Sequence, residues 1–209
     1  MRRYFGLLAL AVALTSAASA QDFNDFDNLP AAGYQFYFGG GANQIVLDDV
    51  QRTTSLAIKR IDIGYFSTAG SAANVTLYVF SANADGTVGS LLYSDTISNV
   101  PTGQLLVLSF STPGIAAGVQ NLWIGIAANR AEAGMLLSPN PNPIIGSSAD
   151  RFAWDQNANG IIDANEQNFF FGGNPIANFA IRTLVPEPAS MLALSAGLAG
   201  LVGLRRRKK

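Results

Sequence analysis

Residues 155–166 carry oxygen-bearing side chains at a spacing that suits a metal ion. They follow the pattern D-x-N-x-N-G-x5-E, in which Gly160 permits a sharp turn. The residues at the ligand positions are Asp155, Asn157, Asn159, Ile161, Asp163 and Glu166. Such a set offers side-chain oxygens, one main-chain carbonyl and a bidentate glutamate to a hard cation. The pattern therefore predicts a calcium loop of modest affinity, because Asp155, Asp163 and Glu166 are its only formal charges.

This segment resembles the calcium loop of EF-hand and dockerin-type proteins, although its flanks differ from theirs. Prolines at positions 139, 141 and 143 leave little room for an entering helix, and the run Phe169–Gly173 replaces an exiting one. We expect a bound calcium ion to fix a long loop on the rim of the domain, without a part in chemistry. The alternative is a surface loop, rich in Asn, Asp and Gly, that its own side-chain hydrogen bonds stabilise.

The chain contains no cysteine and no histidine. Their absence excludes disulfides, thiolate nucleophiles and Cys-based zinc sites, and it removes the usual base of serine triads. We therefore predict that the protein is not an enzyme. The alternative from that class is a glycoside hydrolase that uses two carboxylates about 5–9.5 Å apart. The acidic residues that could supply such a pair are Asp48, Asp49, Asp62 and Asp95.

Aromatic residues suggest a second alternative. The segment Tyr34–Phe38 places aromatic side chains on both faces of an extended chain, and three glycines follow it. Such rings either stack on sugar rings or pack in a core. The same two interpretations apply to Trp123 and Trp154. A carbohydrate-binding module is therefore an alternative, with Tyr34, Trp123 or Trp154 against the glycan.

Apolar and polar residues alternate along the central part of the chain, which is the period of half-buried β-strands. The clearest strands are predicted at 61–65 and 75–80, and the turn Asn83–Gly86 leads to another at 90–93, a hairpin signal. Further strands are predicted at 104–110, 122–127 and 178–184. Short strands between turns predict an all-β fold, a single antiparallel β-sandwich of jelly-roll type over residues 21–184.

Residues 1–20 have the organisation of a secretory signal peptide. Two arginines near the start precede the apolar stretch Phe5–Leu14, and Ala18 and Ala20 supply the small residues of a cleavage site. This order of charge, apolar stretch and small residues favours a signal peptide over a buried helix. The mature chain is predicted to begin at Gln21.

The C-terminal segment 185–209 combines a proline-containing motif, an apolar run and a basic end. In the motif, Pro186, Glu187 and Pro188, the two prolines keep the chain extended and accessible. A transmembrane helix is predicted over 189–204, about 24 Å long against ~30 Å of hydrocarbon. The basic residues that follow are Arg205, Arg206, Arg207, Lys208 and Lys209. Long basic side chains can snorkel to the interface, and their charge places the C-terminus inside the cell and the body outside.

These three features are similar to the PEP-CTERM sorting signal, a resemblance that covers about the last twenty-five residues. The resemblance implies a processing partner, exosortase, a membrane cysteine peptidase that cuts near the motif. It also implies transient anchoring in the inner membrane, followed by delivery to the cell surface or extracellular matrix. We therefore expect an exported protein with a structural or adhesive role, and exopolysaccharide or other surface components as its partners.

The charge of the chain is unevenly distributed. Residues 21–187 contain six Lys and Arg against fourteen Asp and Glu, a formal charge of −8. An acidic body is repelled by nucleic acid and by anionic membrane surfaces. We therefore expect no nucleic-acid partner.

Overall fold

The structure of the protein is a computed structural model that describes residues 22–29, 32–140 and 142–187. The part from Asn24 to Val185 forms one compact unit. The predicted signal peptide with its cleavage site, the helix predicted over 189–204 and the basic residues 205–209 lie outside the described residues. Within the described ranges, no helix has the length and apolar character needed to cross a membrane.

The described residues form an all-β fold, as the alternating pattern predicts. The strands are β1 Asp22–Asp27, β2 Tyr37–Phe38, β3 Val46–Gln51, β4 Ile58–Ser67, β5 Ala73–Ala82, β6 Val88–Val100, β7 Leu106–Ile115, β8 Asn121–Ala128, β9 Ala133–Leu136, β10 Phe152–Trp154 and β11 Ile181–Pro186. In this part of the chain the single helical element is a 3₁₀ turn, Ala164–Glu166. Each of the six predicted strands has a counterpart, so local alternation located the main elements.

The strands form two antiparallel sheets. The first contains β1, β11, β4, β9 and β2 in that order, and β7 pairs with β4 as its sixth strand. The second has the order β10, β3, β8, β5 and β6. The predicted hairpin is formed by β5 and β6, and its turn is closed by the Asn83 amide, which donates to the Thr87 carbonyl at 2.8 Å. Gly86 occupies a positive φ of 82° in this turn, a conformation that favours glycine.

The two sheets pack face to face. Ile61 and Ile63 of β4 and Leu77 of β5 are fully buried, as expected for one face of each sheet. Aromatic side chains cross between the sheets, since the ring of Phe38 in β2 lies 5.3 Å from that of Phe152 in β10. Phe152 in turn contacts Phe179, which lies two residues before β11.

The five-stranded sheet also has an apolar cluster on its other face. Val46 of β3 is fully buried, and its neighbour Leu47 points to the opposite face of the sheet. Leu47 is nevertheless fully buried, as is Trp123 of β8. The buried members of this outer cluster are Ile45, Leu47, Phe80, Val88, Trp123, Ala127 and Ala153. The five-stranded sheet is therefore covered on both faces.

A buried ion pair joins β1 to the residue that follows β3. Arg52 donates from Nε to Oδ2 of Asp25 at 2.7 Å, and both side chains are inaccessible to solvent. Arg52 also donates to the carbonyl of Val119 at 2.8 Å, and Thr183 donates its hydroxyl to the other carboxylate oxygen of Asp25. The pair is thus hydrogen-bonded on both sides, the condition under which burial of two charges is tolerated.

Candidate functional site

The 155–166 segment is a loop that leaves one strand and returns beside it. It begins directly after β10, where the Asp155 amide donates to the carbonyl of Ile45 at 2.9 Å. It returns through the 3₁₀ turn to Phe169, which forms an antiparallel bridge with Phe152. The loop therefore lies between a strand and a bridge, and no α-helix flanks it. This agrees with the departure from a paired EF-hand that the flanking residues indicate.

The first half of the loop is organised by side-chain acceptors. The Asp155 carboxylate accepts hydrogen bonds from the amides of Asn159 at 3.2 Å and Gly160 at 2.9 Å. The Asn157 side-chain oxygen accepts from the Asn159 amide at 2.9 Å, and the Asn159 side-chain oxygen accepts from the Ile161 amide at 2.7 Å. Gly160 has a positive φ of 80°, which permits the turn. The spacing of oxygen-bearing residues therefore folds the chain around the Asp155 carboxylate.

Glu166 joins the two ends of the loop. One carboxylate oxygen accepts from the Gln156 amide at 3.0 Å, and the other accepts from the Asp163 amide at 3.0 Å. The residue is only 2% exposed. Since Gln156 stands at the second position and Asp163 at the ninth, one side chain holds both halves of the loop together.

Asp155 and Glu166 are buried without a basic partner. The ion pairs between described residues involve Asp25, Asp49 and Asp62, and neither loop carboxylate takes part in one. Each carboxylate accepts hydrogen bonds from two backbone amides instead. An all-oxygen set that includes two carboxylates without an ion-pair partner fits the chemistry of calcium.

Acidic side chains alone do not make a metal cluster in this structure. No group of three or more Asp, Glu, His or Cys residues in the described ranges is placed to hold a metal ion. A cation at the loop would therefore depend on the Asn157 and Asn159 amide oxygens and the Ile161 carbonyl, besides the carboxylates of Asp155 and Glu166. Asp163 is exposed.

One residue of the loop packs on the outer face of the five-stranded sheet. Ile162 packs against the outer cluster that contains Leu47 and Trp123. Beyond the 3₁₀ turn, the Gln167 side chain accepts a hydrogen bond from the Val88 amide at 2.8 Å. The contact forms because the outer cluster is apolar, and Ile162 covers part of it. The sequence of the loop could not show what Ile162 packs on.

Asp48 and Asp49 of β3 form a second polar cluster. The Ser148 hydroxyl lies 3.0 Å from Oδ1 of Asp48 and 3.2 Å from Oδ1 of Asp49. Asp48 is fully buried and also accepts from the Phe179 amide at 2.9 Å. Burial, with the neighbouring charge of Asp49, raises the pKa of Asp48 well above its ordinary value of 3.8. Burial also raises the pKa of Asp49, against the effect of Arg151 and of hydrogen bonds.

The other two carboxylates considered for hydrolysis lie apart from this pair. Asp62 of β4 belongs to the other sheet and accepts from Arg60 at 3.2 Å and from Arg182 at 2.7 Å. Asp95 is exposed on β6. Asp49 lines a cavity of about 200 Å³, and none of the other three carboxylates lines it. That cavity therefore has only one of the four carboxylates in its lining.

The aromatic residues considered for sugar binding have different environments. Trp123 is fully buried and stacks beneath Arg151, whose guanidinium carbon is 5.0 Å from the ring centroid. Trp154 packs against Phe38 and donates from Nε1 to the Gln44 side chain at 2.8 Å. Trp123 is thus a packing residue, and Trp154 is partly buried against Phe38. Tyr34 is partly exposed and lines a cavity of about 480 Å³.

A further cavity, of about 260 Å³, lies beside the segment 33–36, which precedes β2. Phe36 is half exposed at this cavity, and Gln35, Asn140 and Asn174 also line it. Sequence reasoning singled out the aromatic segment but not these amides. The amides come from three distant parts of the chain, and no local pattern links them.

The sorting motif starts where the last strand ends. Val185 is fully buried in β11, and Pro186 is the last residue of that strand. Glu187 is the final described residue, so Pro188 lies outside the described part. The predicted motif thus begins at the last residue of β11.

Comparison with known families identifies the tail. Residues 184–208 match the model of the PEP-CTERM protein-sorting motif. No curated protein and no solved structure matches the chain significantly.

The chain therefore contains a PEP-CTERM sorting motif, which marks it as an exported surface protein that exosortase processes. The motif also implies a C-terminal membrane anchor that is processed as the protein reaches the cell surface. The match covers the tail alone, so the role of the body has to be argued from its own structure.

Proposed function

We propose that the body is a non-enzymatic structural or adhesive component of the cell surface or exopolysaccharide matrix. The observation that carries this proposal is the junction of fold and motif. The sorting motif begins at Pro186, at the end of β11, after Val185 has been buried in the sheet. A cut near the motif would therefore leave every strand of the body intact, which suits a protein that is folded outside the cell and then transferred.

The strand order supports a jelly-roll architecture for that body. When the short strands β2, β9 and β10 are set aside, the sheets read β1-β11-β4-β7 and β3-β8-β5-β6. Two four-stranded antiparallel sheets with this alternation of early and late strands are the arrangement of a jelly roll. Jelly rolls serve in capsids and lectins, where the sheet and its loops bind or assemble.

The residue inventory supports a role without catalysis. The sequence offers no histidine or cysteine for general-base or nucleophilic chemistry. The buried carboxylates Asp25 and Asp62 are each occupied by arginine, and Asp48 is held by Ser148 and the Phe179 amide. These groups are committed to structural contacts.

Calcium at the 155–166 loop is the second part of the proposal. It is supported by the oxygen spacing and by the buried, uncompensated carboxylates of Asp155 and Glu166. A bound calcium ion would supply the missing positive charge and hold the loop closed, with Ile162 kept against the outer cluster. The ligand residues then serve only to hold the ion in the loop, and we assign the ion no part in a reaction.

The sorting proposal is tested by replacing the motif. In the host cell, the triple variant Pro186→Ala, Glu187→Ala and Pro188→Ala should accumulate in the inner-membrane fraction with its tail intact. The wild-type chain should instead reach the surface, and mass spectrometry should find its C-terminus near Glu187. The physical reason is that the variant loses the extended, rigid segment that a peptidase can engage.

A matched control comes from the chain itself, which contains two further Pro-x-Pro sequences at 139–141 and 141–143 that share Pro141. The variant Pro141→Ala, Asn142→Ala and Pro143→Ala should reach the surface like the wild type. Surface delivery of the 186–188 variant with a normally trimmed tail would show that the motif is not used.

A further inference from the structure

The cavity beside Phe36 is assembled from three separate segments, 33–36, 137–140 and 173–176. Its volume is about 260 Å³. This is near the lower end of the ~300–1,000 Å³ typical of small-molecule sites. A space of this size suits one sugar-sized unit of a longer ligand.

The walls of the cavity are held by main-chain hydrogen bonds. The Leu137 amide donates to the Phe36 carbonyl at 3.0 Å, and the Ser138 amide donates to the Asn178 carbonyl at 2.8 Å. Directly after the third segment, the Ala177 amide donates to the Asp150 carboxylate at 2.7 Å. Leu137 and Ser138 are themselves buried. The cavity is therefore preformed, which lowers the entropic cost of binding.

The chemistry of the cavity is uncharged. All its lining residues are neutral, although the body carries a charge of −8. An ionic ligand would lose hydration here without gaining an opposite charge. The cavity therefore favours a neutral ligand.

Three side-chain amides are available to such a ligand. Gln35, Asn140 and Asn174 line the cavity, and within the described part of the chain their side chains make no hydrogen bond. Each amide offers both a donor and an acceptor, so it can bind a pair of neighbouring hydroxyl groups. Phe36 is 50% exposed at the same cavity, and its ring presents an apolar face.

We propose that this cavity binds one unit of a neutral polysaccharide. The amides of Gln35, Asn140 and Asn174 take its hydroxyl groups, and the ring of Phe36 packs against its apolar C–H face. The inference rests on the proposed function in one respect, because the body has to lie outside the cell to meet a polysaccharide. Phe36 is the proposed aromatic contact, in place of Trp123 and Trp154.

The test measures binding of the purified full-length chain, in a mild detergent, to immobilised neutral oligosaccharides built from glucose, mannose or galactose in defined linkages. Polygalacturonate serves as the acidic comparison. We expect at least one neutral oligosaccharide to bind. Phe36→Ala and Asn174→Ala should each weaken that binding about tenfold. Phe170→Ala is the matched control, because Phe170 is 68% exposed and does not line the cavity, and it should bind like the wild type.

Three results would overturn the proposal: no neutral oligosaccharide binds, binding survives both Phe36→Ala and Asn174→Ala, or polygalacturonate alone is bound. Should Phe36→Ala lower the melting temperature, Asn140→Ala and Asn174→Ala still decide, since neither removes a side-chain hydrogen bond of the described fold. A protein that is delivered to the surface but binds no neutral glycan would refute this inference alone. Failed delivery of the wild-type chain would instead refute the proposed function.

Discussion

At the scale of single residues, the buried aspartates have environments that the alternating pattern does not predict. Asp25, Asp48 and Asp62 lie in strands and are almost inaccessible to solvent. Two of them are neutralised by arginine, whereas Asp48 has a serine hydroxyl and a backbone amide as its partners. Asp48 is therefore the one of these three whose charge is not compensated by an ion pair, and burial raises its pKa.

We predict that Asp48 makes stability depend on pH. The pKa of Asp48 in the folded state is raised above 3.8. At pH values between the unfolded and the folded pKa, the folded state therefore keeps a proton that the unfolded state has lost. This contribution to stability is fully present below about pH 3.8 and is lost as the pH rises through the raised pKa. Melting temperatures of the full-length chain measured from pH 4 to 7 should therefore fall less steeply in Asp48→Asn than in the wild type.

The exposed acid Asp95 provides the control for this measurement. Asp95→Asn removes the same charge from β6, where no burial affects it, and should keep the wild-type slope. Equal slopes for Asp48→Asn and the wild type would mean that Asp48 ionises alike in the folded and unfolded states.

At the scale of elements, local sequence predicts what local forces decide. The hairpin of β5 and β6 follows from the Asn83–Gly86 turn, and β4 follows from its alternation. The predicted strand 90–93 is only part of β6, which runs from Val88 to Val100, because its polar residues are exposed and give no alternation signal. Its strand conformation is instead maintained by pairing with β5.

Elements that depend on distant partners were not predictable in this way. β2 and β10 are two and three residues long, and they exist because β9 and β3 supply their hydrogen bonds. The outer cluster was missed for the same reason. Leu47 and Ile162 are more than a hundred positions apart, so the sequence shows two apolar residues but not that one covers the other.

The calcium loop is the element whose behaviour the proposal specifies most closely. At a hundred times its dissociation constant, calcium should add about 2.7 kcal/mol to the free energy of unfolding. For a domain of this size that corresponds to a rise of about 5–10 °C in melting temperature. Thermal unfolding of the full-length chain in millimolar calcium and in chelator measures this difference.

Two loop variants and one distant variant make that measurement specific. Asp155→Ala should abolish the calcium effect, and Asp163→Asn should reduce it without altering the calcium-free protein much, because Asp163 is exposed. Asp95→Asn changes the net charge equally and should leave the effect intact. Identical melting curves in calcium and chelator would favour a loop held by its own hydrogen bonds, such as those of Asp155 and Glu166.

At the scale of the whole molecule, the sequence predicts the sorting motif of the tail more completely than it predicts the sites of the body. The tail is read from residues that are adjacent in the chain, and the family match at 184–208 confirms it. The cavity beside Phe36 is built from three separate segments, the first of them about a hundred residues before the second, and only the fold brings them together. The sorting of the protein and the 155–166 loop could therefore be predicted from the sequence, whereas the cavity beside Phe36 could not.

The junction between body and tail leads to a last prediction, about where the chain can be cut without unfolding. β11 lies between β1 and β4, and Ile181, Thr183 and Val185 are fully buried. A chain that ends at Glu187 keeps all of these contacts, so it should unfold cooperatively at the melting temperature of the full-length protein. A chain that ends at Ala180 loses β11, which leaves β1 and β4 without their shared neighbour, and it should fail to fold. Circular dichroism during heating distinguishes the two outcomes. A stable, cooperative fold for the chain ending at Ala180 would show that the last strand is dispensable, and the argument that sorting preserves the body by cutting after β11 would lose its basis.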